Sequence, residues 1–87
     1  MSTDVLARSA RAAAASFRLG MEAQGSEALT RVVDSLVPLL AEQPALADAL
    51  NPLVGALVAA QERGDPIGLA DRLEHEFLPA LRGVVSA

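Results

Sequence analysis

Arg63-Gly64-Asp65-Pro66-Ile67-Gly68-Leu69-Ala70-Asp71-Arg72-Leu73 ends one helix and starts another within three residues. Gly64 can take the left-handed conformation that closes a helix C-terminus. Asp65 can accept a hydrogen bond from a first-turn N–H, and Pro66 suits the first helical position because its φ is preset. Gly64 and Asp65 are therefore read as structural caps. Beyond them Leu69/Ala70, Leu73, Phe77 and Leu81 recur every three or four residues and line one helical face. Pro79 perturbs the last turns, and Gly83 is expected to stop the helix, with Val84 to Ala87 a fraying tail. The pattern predicts a helix over 66–82.

Three more helices precede it. Thr3 is a candidate cap for a first helix over 4–24, with Asp4 complementing its dipole and Leu6, Ala10, Ala13, Phe17 and Gly20/Met21 as its stripe. Gly25-Ser26 reads as the stop and the next cap. A second helix over 27–41 carries Leu29, Val32/Val33, Leu36 and Leu40, with Val37 adjacent, and Pro38 is expected to kink it. Pro44 opens a third over 45–63, striped by Leu46, Leu50, Leu53, Leu57 and Ala60. Asn51-Pro52 either bends that helix or divides it into 45–50 and 52–63. A faint repeat relates Ala23-Gln24-Gly25-Ser26 and its following helix to residues 60–65 and theirs. The expected fold is an all-α four-helix bundle of two helical hairpins, one domain over 1–87, with kinks near Pro38, Pro52 and Pro79.

Composition agrees and excludes much. The 87 residues include 18 Ala, 14 Leu and 8 Val but one Ile, a helix-forming apolar set. Cysteine is absent, so disulfides and thiolate sites are excluded. No Trp or Tyr and two Phe leave little to stack on bases, and a net charge of −4 argues against nucleic acid as a partner. The apolar fraction of 52% exceeds what so small a core comfortably hides, so self-association as a homodimer is expected. Residues 5–21 combine Arg, Ser and Ala without acids, as transit peptides do, but their periodicity suits an ordinary packing helix. The longest uncharged apolar run, 49–60, is too short to span a bilayer. The cytoplasm is the expected location.

Chemistry has few carriers. Asp34-Ser35-Leu36 resembles the attachment tripeptide of acyl and peptidyl carrier proteins, which implies phosphopantetheine on Ser35; those proteins present the Ser exposed at a helix start, whereas here a helical pattern surrounds it. Asp71, Glu74, His75 and Glu76 cluster at helical spacing, but one His cannot complete a zinc or iron site, so a solvated face with an Arg72–Glu76 pair is expected. That His also lacks a Ser–acid arrangement in sequence, and no phosphate loop is present. The reading is a protein without enzymatic activity, cofactor or metal.

Binding has more candidates. Residues 1–20 carry Arg8, Arg11 and Arg18 against Asp4, while the remainder carries four Arg against ten acids. The three arginines share an edge that suits either an anionic surface or, more simply, the acids of the fourth helix. The small-residue face Ala10, Ala13, Ala14 and Phe17, exposed Leu of the third and fourth helices, and the acids Asp71, Glu74 and Glu76 are the expected interaction elements.

Residues 64–79 carry a further signal in Gly64-Asp65, Leu69-Ala70-Asp71, Leu73-Glu74, Glu76 and Pro79. The segment resembles one found in small bacterial helical proteins and in helical regions of motility-accessory glycosyltransferases. Pro66 and His75 stand where that pattern has aromatics. The resemblance implies a helical accessory or binding module, associated with motility and not catalytic.

Overall fold

Two glycines with positive φ, Gly20 at 76° and Gly64 at 67°, set where the chain reverses. The computed structural model describes the backbone of residues 3–86 and the side chains of residues 4–83. Around Gly20, Met21 N–H donates to the Ser16 carbonyl at 2.8 Å and Gly20 N–H to Phe17 at 3.2 Å. Around Gly64, Asp65 N–H donates to Ala60 at 3.0 Å and Gly64 N–H to Gln61 at 3.1 Å. These are paired Schellman closures, each needing a residue that tolerates the left-handed region.

The helices are α1 (Thr3–Arg18), α2 (Glu22–Glu42), α3 (Pro44–Glu62) and a fourth run. That run comprises α4 (Pro66–Arg72), a π-helical turn (Leu73–Phe77) and α5 (Leu78–Ser86). Among the described residues no strand occurs, and the chain is all-α. The cap proposed for Thr3 involves a side chain outside the described residues, as does Ala87 of the expected tail.

Three boundaries differ from the sequence expectation. The first helix stops at Arg18, not near residue 24, because Gly20 and not Gly25 adopts the left-handed turn. Gly25 lies inside α2, buried, where an added Cβ would stand 2.7–2.9 Å from the Phe17 ring. Its lack of a side chain serves close approach of α1 and α2, not termination. The repeat that aligned Gly25 with Gly64 therefore pairs a helical with a left-handed residue. At the other end, Gly83 does not stop the fourth run, whose backbone stays helical to Ser86.

The internal prolines do not break their helices. Pro38, Pro52 and Pro79 are all exposed, as are Asp34, Asp48 and His75, whose carbonyls lose their usual donors. Water can satisfy a carbonyl on the outer face, so the helix survives the missing bond. The division of helix 3 into two pieces is thus excluded. Ahead of Pro79 the backbone widens, with Leu78 N–H donating to Leu73 five residues back. A π turn relieves the clash between a proline ring and the preceding turn.

Burial follows the stripes. The core takes Leu6, Ala10, Ala13, Ala14 and Phe17 from α1, and Ala28, Leu29, Val32, Leu36 and Leu39 from α2. Leu46, Leu50, Leu57 and Ala60 come from α3, with Leu69, Ala70, Leu73, Phe77, Leu78 and Leu81 from the fourth run. Small residues on α1 let it lie close to α2 and to the fourth run at once. By contrast α2 and α3 make little contact with each other. The 34 Å long axis is about the length of α2, roughly 32 Å at 1.5 Å per residue.

Candidate interaction surface

The acids of the fourth run sit on its outer side and are already engaged. Arg18 reaches from the end of α1, its Nε donating to Glu74 Oε1 and its Nη2 to Asp71 Oδ1, both at 2.7 Å. The Glu74 hydrogen bond first, then that to Asp71, raises the Arg18 pKa above its ordinary value. Glu76 pairs with Arg72 one turn back at 3.2 Å. The basic edge of α1 thus meets the fourth helix within the chain through Arg18, as its charge pattern suggested. Arg8 and Arg11 are exposed and form no ion pair among the described residues.

Other predicted site residues fall elsewhere. Ala10, Ala13, Ala14 and Phe17 are each at most 4% exposed, so the small-residue face of α1 is filled by the chain's own helices and is not an outer surface. The leucines of α3 and the fourth run are buried apart from half-buried Leu53. They do not supply the exposed apolar surface expected of them. Gly64 and Asp65 do cap: Gly68 N–H donates to Asp65 Oδ1 at 2.9 Å. Ser35 is half-buried in the middle of α2, without the helix-start position that a carrier serine needs. His75 is exposed and, among the described residues, makes no side-chain hydrogen bond. No three potential metal-ligating side chains converge among the described residues.

What sequence reasoning missed is a groove where α2 and α3 diverge. It encloses about 170 Å³ over a floor of Leu29, Leu36, Leu57 and Phe77. Val33 from α2 and Val58 from α3 form its apolar rim, 37% and 44% exposed. Val37, one turn beyond Val33 on the same stripe, is 62% exposed. Thr30 and Asp34 line the polar side. The available signal was the second, offset row of valines on α2: Val33 and Val37 stand beside the buried row of Val32, Leu36 and Leu39 rather than within it.

No family model, curated protein or solved structure matches the chain. The geometry therefore carries the functional reading. A second, shallower groove of about 450 Å³ lies between α1 and the fourth run, lined by Arg11, Arg18, Arg82, His75, Glu74 and Leu78 among others. No described helix is long and apolar enough to cross a membrane.

Proposed function

We propose that this chain is a non-enzymatic protein-interaction module that self-associates as a homodimer. Its helices form a four-helix bundle of two hairpins, α1 with α2 and α3 with the fourth run, a reading supported by which helices touch. One observation carries the interaction reading: the α2–α3 groove has an apolar floor, an apolar rim and an exposed valine one turn away. Single exposed apolar side chains are ordinary, but a contiguous patch over a groove gains favourable burial only when something covers it. The resemblance of residues 64–79 supports an accessory role in bacterial motility, in the cytoplasm.

The test is sedimentation equilibrium from low micromolar to submillimolar concentration. Wild-type chain is expected to approach twice 9.0 kDa, and Val37→Asp to remain monomeric with unchanged far-UV circular dichroism. A monomer across the whole range would overturn the self-association reading.

The α1 groove favours a second reading, an anionic-surface binder through Arg11 and Arg82 in the groove and exposed Arg8 one turn before Arg11 on α1, with Arg18 withdrawn into its ion pairs. Cosedimentation with phosphatidylglycerol vesicles that falls steeply with salt and with Arg11→Ala would support it. Failure to bind at low salt would end it.

A further inference from the structure

We infer that the groove between α1 and the fourth run holds a phosphate monoester, gripped between the guanidinium groups of Arg11 and Arg82. The inference goes beyond the anionic-surface reading by assigning a discrete site and one chemical group. Arg18, at the end of α1, meets Glu74 early in the fourth run. α1 stops there, yet α5 also touches it, so the two runs are antiparallel. From that shared level Arg11 lies seven residues back along α1, two turns and about 10 Å away on the same face. Arg82 lies eight residues on from Glu74, which in an unbroken α-helix would carry it about 80° round the axis. The π turn at Leu73–Phe77 takes up one residue more than an α turn. It therefore returns Arg82 to the face of Glu74 and Leu78, about 10 Å from Glu74 and level with Arg11. Both arginines line the same groove of about 450 Å³.

Two exposed guanidiniums thus flank one end of the groove. Among the described residues neither forms an ion pair or a side-chain hydrogen bond. Glu74, the acid in the groove lining, stands at the other end with His75 and is held by Arg18. Like charges on opposing walls repel, and an anion between them relieves that repulsion. The planar fork of arginine matches a pair of oxygens. A carboxylate offers one such edge and a single charge. The three terminal oxygens of a phosphate monoester offer an edge to each wall, and its charge of about −1.5 to −2 at pH 7 balances two guanidiniums. Ala15 and buried Leu78, between the two ends, give the carbon part of the ester an apolar surface.

The experiment follows the side-chain N–H resonances of Arg11 and Arg82 in the full chain at about 0.15 M salt, where diffuse attraction is screened. Phenyl phosphate is the soluble probe. Cosedimentation with vesicles carrying phosphatidic acid, or phosphatidylglycerol at matched surface charge, probes a lipid source. Saturable shifts at both arginines are expected, and Arg11→Gln and Arg82→Gln should each weaken binding about tenfold or more. Arg8→Gln, one turn outside the groove, should stay within about threefold of wild type. Far-UV circular dichroism confirms that each variant keeps its helices. Capture of phenyl phosphate alone identifies a soluble ester, and capture of phosphatidic acid vesicles alone identifies a lipid headgroup; either supports the site when both variants lose it. Equal losses from Arg8→Gln, Arg11→Gln and Arg82→Gln would overturn the clamp and leave diffuse surface binding. Phosphatidylglycerol held as tightly as phosphatidic acid would overturn the choice of a monoester, and no binding of either phosphate probe would overturn the inference outright.

Discussion

Replacing Gly25 by Ala tests the packing of α1 on α2 at its tightest point. The new Cβ would lie 2.7 Å from Phe17 Cε1, 2.8 Å from Cδ1 and 2.9 Å from Cζ. Carbon atoms at ease sit about 3.5–4.0 Å apart. Phe17 is 4% exposed and has little room to withdraw. Overpacking of this kind costs about 1–3 kcal/mol. Ala is also a better helix former than Gly, by up to about 1 kcal/mol, which offsets part of the loss. Gly55 provides the control, since it is exposed inside α3 with nothing within 4 Å of an added Cβ. Gly55→Ala should show the propensity gain alone, raising the melting temperature by up to about 4–8 °C. The difference between the two variants isolates the clash, about 1–3 kcal/mol. Thermal and urea unfolding followed at 222 nm would measure both. In a Phe17→Leu background the Gly25→Ala penalty should shrink, because the ring that it meets is gone. If Gly25→Ala stabilises as much as Gly55→Ala, the close approach of the two helices is refuted.

Three further outcomes follow from single contacts. Asp65→Ala removes the acceptor of the Gly68 N–H bond and should cost about 1 kcal/mol, or about 4–8 °C in melting temperature; an unchanged melting curve would refute the cap. Gly20→Ala forces a side chain into φ 76° and should cost about 1–2 kcal/mol in urea titration, where an Ala variant as stable as wild type would count against the left-handed turn. Arg18→Met should lower stability slightly at low salt, and the difference from wild type should vanish at molar salt; a large, salt-independent loss would show that Arg18 acts through packing and not through Asp71 and Glu74.

Much of the interaction surface was hidden from sequence for one reason. Ala10, Ala13, Ala14 and Phe17 read as a docking face because small residues invite a helix, and they do receive helices, but the chain's own. For Asp71 and Glu74 the sequence left two readings open, an outward-facing cluster or partners of the α1 arginines, and folding brings Arg18 from more than fifty residues away to settle it for them. Val33 and Val37 could be assigned to the core or to its edge on periodicity alone, since they lie next to the buried row. Which way they face depends on the angle at which α3 leaves α2.

Local chemistry decides what residues can settle among near neighbours. The sequence by itself determined the helical class, the Gly64–Asp65–Pro66 break, the Arg72–Glu76 pair and nearly every leucine of the core, because caps, propensity and three-to-four spacing act within a turn or two. The tertiary structure decided what Gly25 is for, since a glycine reads as a stop unless a ring presses against it. It also decided that the third helix runs unbroken through Pro52, where the sequence allowed either a bend or a division. Above all it opened the groove between α2 and α3. That space exists because two helices adjacent in the chain each pack against other helices more than against one another, a competition between distant contacts that no local pattern records.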